Sequence, residues 1–179
     1  MLNSFLVHAT GLAALGLNLR GVLTRHDRRL RATTGVAALL WALNNFLIGA
    51  ETAAVLSIIA AGRQAGSVAA ERRPRIQAWT CAAFIALNIA AGIVTWDGWP
   101  SVEIVAASVA VTYAMFFLSG VKLRLVMLVS AILWGFNAVA FHSWEQILAN
   151  VLCAVAAMLG AWRASRLQGS TPRESAAPE

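Results

Sequence analysis

Residues 31–48 read RATTGVAALLWALNNFLI, and residues 124–141 read RLVMLVSAILWGFNAVAF. The second stretch repeats the first at an offset of 93 positions. Extended by two residues at the start, the windows share Leu30/Leu123, Arg31/Arg124, Val36/Val129, Ala38/Ala131, Leu40/Leu133, Trp41/Trp134 and Asn44/Asn137. Matches of Leu, Val and Ala come cheaply in an apolar chain. A shared Arg followed by W-x-x-N does not, because those residue types are costly inside an apolar segment. The chain reads as two copies of one helical unit, each built around a W-x-x-N helix.

Of the 179 residues, 59% are hydrophobic and 12% charged, and the mean hydropathy is +0.69. A soluble domain carries about a quarter charged residues, which it needs to cover its core. The apolar runs here reach the roughly 20 residues that cross a bilayer. The class that fits is an all-α, polytopic membrane protein, with the lipid bilayer as its first partner. A pI near 11.0 would suit a nucleic-acid binder. In a membrane protein, however, basic residues mostly encode orientation, so no nucleic-acid partner is expected. Cys81 and Cys153 lie inside apolar runs without metal-ligand spacing and read as small buried hydrophobes. The first apolar stretch has its basic residues behind it, unlike a signal peptide, and is expected to stay as the first span.

Seven spans are expected, near 3–23, 31–49, 50–70, 74–96, 100–119, 122–141 and 143–163. This gives a first unit over 1–70, a linker helix over 71–97, a second unit over 98–165 and a disordered tail over 166–179. The charge count tests the scheme. Put the first loop in the cytoplasm and all 14 Lys and Arg fall on that side, whereas Glu51, Asp97, Glu103 and Glu145 fall on the other. The positive-inside rule then implies an outer N-terminus and a cytoplasmic C-terminus. Three spans per unit would invert the second copy, and the fourth span restores its direction. The plan is 3+1+3, two parallel repeats whose interface at the midplane is the place to look for a site.

Trp41 and Asn44 share a helical face, as do Trp134 and Asn137, at a depth where tryptophan is not anchoring the interface. Two readings stay open. The indoles stack on a flat or ring-shaped solute and the amides hydrogen-bond it, or the pairs bind neighbouring helices as packing contacts. Asn150 of the seventh span and Ser57 of the third occupy the same repeat position and are candidates to complete a pocket. Asn18 and Asn88 read as packing residues. Arg63 sits deeper than the other basic residues, as an anion contact, a gate or a snorkelling side chain. Glu51, Glu103 and Glu145 read as solvated groups or helix caps, and His8 as a lone histidine. Trp79, Trp96, Trp99, Trp144 and Trp162 fit interfacial belts. There is no nucleophile elbow, phosphate loop or metal-ligand cluster, so neither an enzyme nor a cofactor or metal is expected.

The segments 24–64 and 122–163 resemble the YgjV family of bacterial inner-membrane proteins, through the basic first loop, the W-x-x-N helix, an Asn-bearing last span and its terminal Trp-Arg. The 3+1+3 plan is similar to that of the wider SWEET and PQ-loop (MtN3-like) superfamily. In its sugar-transporting members a Trp on the second helix and an Asn on the third helix of each bundle flank the substrate. That resemblance implies a substrate site at Trp41, Trp134 and Asn150, with Ser57 in place of the second Asn. The Pro-Gln pair and the helix prolines of that superfamily are missing here. Gly11, Gly16 and Gly35 are the residues expected to bend helices in their stead.

The leading expectation is a bacterial inner-membrane uniporter of a small neutral or weakly polar solute. Trp41 and Trp134 would stack on it, and Asn44, Asn137, Ser57 and Asn150 would bond it. The alternative is a membrane scaffold or receptor whose basic face, RHDRRLR and ERRPR, binds anionic lipid or a protein.

Overall fold

The computed structural model describes residues 2–24 and 26–169. The described chain forms seven helices: α1 Leu2–Leu23, α2 Asp27–Leu47, α3 Glu51–Ala70, α4 Pro74–Val94, α5 Trp99–Phe117, α6 Gly120–Ala140 and α7 Trp144–Gly169. Prolines stand in the first turns of α4 and α5, where their missing N–H costs nothing. The helix α7 continues through Gly169 and so takes in the first four residues assigned to a disordered tail. The rest of that tail, 170–179, lies outside the described residues.

Both repeats end their W-x-x-N helix in the same way. After α2 the backbone turns left-handed at Gly49 (φ 78°), and the Ala50 N–H donates to the Asn45 carbonyl at 2.9 Å. After α6 the turn falls 93 residues later, at His142 (φ 53°), and the Ser143 N–H donates to the Ala138 carbonyl at 3.0 Å. Each is a Schellman cap, which satisfies carbonyls left free at a helix end. Glycine enters this conformation without a Cβ clash, whereas His142 does not.

Short connections make successive helices antiparallel, and six of the seven pack as a ring. In order around it come α1, α2, α3, α5, α6 and α7, with α7 closing on α1. The remaining helix, α4, lies outside against α3 and α5. Exchanging the two repeats maps this pattern onto itself: α1 becomes α5, α2 becomes α6, α3 becomes α7, and the α3–α5 contact becomes the α7–α1 contact. Consequently α2 faces α6 across the ring, and α3 faces α7.

Six helices are long and apolar enough to cross a membrane. The exception is α2, which has the length but carries a charged first turn and two buried asparagines. Its outward face is still apolar, with Val36, Leu39, Leu43 and Phe46 exposed. The same holds around the bundle, where Phe5, Ile58, Ile93, Phe136, Val139 and Val151 are exposed on other helices. Apolar side chains outside and amides inside is the arrangement lipid demands. Trp96, Trp99 and Trp144 are exposed at the end of the bundle bearing Glu51 and Asp97, called here the acidic end, and Trp79 and Trp162 toward the basic end. Five exposed tryptophans near two levels have the placement of interfacial belts.

Gly11 and Gly35 lie within continuous helix. They mark close crossings. A Cβ on Gly35 would stand 3.0 Å from Gln64 Cβ, and one on Gly11 would stand 3.2 Å from Asn44 Nδ2. Gly16 has open space around it.

The two caps make opposite predictions. His142→Gly should raise the stability of the purified protein by about 1 kcal/mol in thermal unfolding. Gly49→Ala should lower it by a similar amount. Equal effects of the same sign would remove the repeated cap from the account.

Candidate functional site

At the centre of the ring lies a cavity of about 160 Å³, bordered by residues from all six ring helices and none from α4. Its volume is close to that of an engineered cavity that accepts benzene. On α2 the lining residues are Thr34, Ala38, Trp41 and Asn45, one stripe at helical spacing. The matching positions on α6, 93 residues on, are Met127, Ala131 and Trp134, and they line the cavity too. The same correspondence joins Asn18 to Val111, Val22 to Met115, Ser57 to Asn150 and Ala60 to Cys153, all of them lining. The walls are therefore built by equivalent faces of two repeats.

Trp41 and Trp134 come from opposite sides of the ring, and each is partly buried. Ser57, Asn150 and Arg63 also border the cavity. Asn44 and Asn137 do not. Asn44 is fully buried, and its amide donates to the Val7 carbonyl at 2.8 Å and to Thr10 Oγ1 at 3.3 Å, both on α1. Asn137 is 1% exposed, and its Oδ1 has no hydrogen-bond partner. In both W-x-x-N pairs the Trp borders the cavity and the Asn does not, and Asn44 is bound to α1 instead.

The amides bordering the cavity are Asn18, Asn45, Gln64, Gln146 and Asn150. Gln146 Nε2 donates to Asn45 Oδ1 at 2.6 Å and to Asn44 Oδ1 at 3.2 Å, and Asn45 Nδ2 donates to Ser57 Oγ at 3.3 Å. This chain of bonds runs from α7 over α2 to α3 on the acidic side of the cavity. Asn45 was missed, although it lies four residues from Trp41 and completes the α2 stripe. Gln146 was not legible, because its repeat equivalent is Ala53 and nothing marked it. Asn18, read as a packing residue, borders the cavity, whereas Asn88 packs α4 against α5 by donating to Thr112 Oγ1 at 3.1 Å.

Toward the basic end, Leu30 and Leu123 are both fully buried and join one cluster with Val111, Ala114 and Met115. Repeat-equivalent leucines thus close on each other where α2, α5 and α6 meet. Beside them, Arg124 is 4% exposed and donates from Nη1 to Asp27 Oδ1 at 3.2 Å and from Nη2 to the Thr24 carbonyl at 3.1 Å. Asp27 Oδ2 also accepts from the Gly120 N–H at 3.3 Å, at the start of α6. Arg31, the equivalent of Arg124, has among the described residues only Glu71 Oε1, at 3.8 Å.

Glu145 is not a solvated cap. It is 2% exposed and pairs with His8 Nδ1, so His8 is not alone either. Asp97 does cap a helix: its Oδ2 accepts from the Thr52 N–H at 3.2 Å in the first turn of α3.

The chain belongs to the Imp-YgjV family of bacterial inner membrane proteins, whose family model matches residues 5–168. No curated protein and no solved structure matches it.

Removing a buried interhelical amide in a membrane bundle costs about 1 kcal/mol. Asn44→Ala should lower the stability of the detergent-solubilised protein by that much, because α1 and Gln146 lose a partner together. If Asn44→Ala melts at the wild-type temperature, the amide is not tying α1, α2 and α7 together.

Proposed function

We propose that the protein is an inner-membrane carrier for a small planar solute with polar edges, moved by facilitated diffusion through the centre of the ring. The supporting observation is the cavity itself: repeat-equivalent faces of six helices border it, and each contributes tryptophan or hydrogen-bonding groups. A ring-sized solute would lie between Trp41 and Trp134, with offset stacking worth about 0.5–1.5 kcal/mol beyond its buried area. Ser57, Asn45, Gln146 and Asn150 would bond its edge. In the same reading all seven helices span the bilayer, since α2 is packed between α1 and α3 in the ring. The basic end then faces the cytoplasm by the positive-inside rule. The superfamily likeness seen in the sequence agrees with such a plan, with Asn44 and Asn137 reassigned to packing.

A second reading has an observation of its own. Outside the ring, between α2 and α3, a groove lined by Val36, Leu39, Ala65 and Val68 runs to Arg28, Arg31, Arg72 and Arg73 at the basic end. An acyl chain along the apolar part would bring a phosphate to the arginines. This site suits a scaffold as well as a carrier.

Two measurements follow. Trp41→Ala with Trp134→Ala should abolish solute uptake into proteoliposomes while the variant remains folded, whereas unchanged uptake would remove the cavity from the transport path. For the groove, native mass spectrometry should retain phosphatidylglycerol over phosphatidylcholine, and Arg72→Gln with Arg73→Gln should cancel the preference. Retention of the two lipids to equal extents in the wild type would dispose of the groove as a lipid site.

A further inference from the structure

Arg63 is the one charged residue bordering the central cavity among the described residues, and it is 5% exposed. Its Nη1 donates to the Ser108 carbonyl at 3.1 Å and to Thr112 Oγ1 at 3.0 Å. Nε and Nη2 have no hydrogen-bond partner among the described residues. Among the described residues no carboxylate is paired with it. The three ion pairs among the described residues are His8–Glu145, Arg31–Glu71 and Arg124–Asp27.

A snorkelling arginine would send its head to the end of the bundle. This one instead reaches sideways to Ser108 and Thr112, nine and five residues before the end of α5 at Phe117, a depth of roughly 8–14 Å at helical rise. Nor does orientation need it, because the helix ends supply the basic residues that set topology. The repeat position of Arg63 is Ala156 on α7, so the frame folds without a cation there. A guanidinium keeps its proton in a protein, and an uncompensated buried charge opposes folding, where an apolar side chain of the same volume would not. The bonds to α5 occupy Nη1 and leave the Nε/Nη2 edge, which is the fork that takes a carboxylate through two parallel N–H···O bonds.

We propose that the solute is an anion: a small ring-bearing carboxylate whose acid group pairs with the Nε/Nη2 edge of Arg63 while its ring lies between Trp41 and Trp134. This rests on the cavity being a solute site and replaces the neutral solute expected from the sequence. The lone cation supplies specificity by difference. A neutral isostere of the same shape leaves the guanidinium buried and unpaired, and is rejected for that reason.

The test is calorimetric titration of the purified full-length protein with benzoate and with its neutral isostere benzamide. Benzoate should bind at least tenfold more tightly than benzamide. Arg63→Gln should weaken benzoate at least tenfold and erase the preference, and Arg63→Lys should keep part of it. Because the two ligands are compared on the wild type, the result stands even where a variant fails to fold. Equal affinities, or benzoate binding untouched by Arg63→Gln, would overturn the assignment of charge. Binding of benzamide alone would overturn it as well and leave the cavity as a site for a neutral solute. Binding of neither would overturn both. Benzoate binding without flux into proteoliposomes would sink the carrier reading and leave the anion site standing.

Discussion

Hydrocarbon offers no hydrogen bonds, and the arrangement of the bundle follows from that constraint. The apolar side chains that a soluble protein would bury lie outside, on every ring helix. The polar residues of the spans are turned inward or bound: Asn44, Asn45, Asn88, Asn137, Gln64 and Gln146 are all buried. Two outlets exist for an inward polar group. It can bond the next helix, as Asn44 does with the Val7 carbonyl, or it can border a space at the ring's centre, as Asn150 does. With six helices in a ring and two indoles among the inward residues, the second outlet takes the form of a cavity.

Duplication supplies the walls, and divergence supplies the chemistry. Lining positions correspond across the two repeats from Asn18/Val111 to Ala60/Cys153, so the cavity's shape is shared. Its polarity is not. Arg63 and Gln64 stand where the second repeat has Ala156 and Ala157, and Gln146 stands where the first has Ala53. The shared arginines diverged through their neighbours. Arg124 meets Asp27 and the Thr24 carbonyl, while Arg31 has a single carboxylate at 3.8 Å, one that is itself about half exposed. Gly160, across from Arg124, leaves room that a Cβ would fill at 2.8 Å from Nε; its repeat equivalent is Ser67.

Helix number, connections and repeat offset were legible because each rests on a strong, chain-wide signal: long apolar runs, segregated charge and a W-x-x-N repeated at fixed distance. Trp41, Trp134, Ser57 and Asn150 were legible as inward-facing from the repeat, whereas Arg63 also fitted a snorkelling side chain. The division between Asn44 and Asn45 was not legible. They differ by about 100° around the helix, and which of the two faces the cavity depends on where α1 and α7 pack, information no single helix carries. Glu145 was misjudged for a related cause. Its place at a helix start suggests solvent, but His8 from a helix 137 residues away covers it.

The two ends of the cavity are held by different polar contacts. At the basic end, Leu30 and Leu123 bury fully against each other's cluster, and Asp27 ties α2 to Arg124 and to the start of α6. Burying a leucine is worth about 1.5–3 kcal/mol, and a hydrogen bond to a charged group about 1.5–3 kcal/mol. At the acidic end the span across the cavity is made of neutral bonds, Gln146 to Asn45 and Asn45 to Ser57. Neutral interhelical bonds in a bundle average about 0.6 kcal/mol. Parting the amides therefore costs a few kcal/mol less than parting the leucines and the Asp27–Arg124 pair. The acidic end has an apolar cluster of its own, in which Leu56 and Ile104 are fully buried and Phe141 packs against them, so the amides are one part of what holds it.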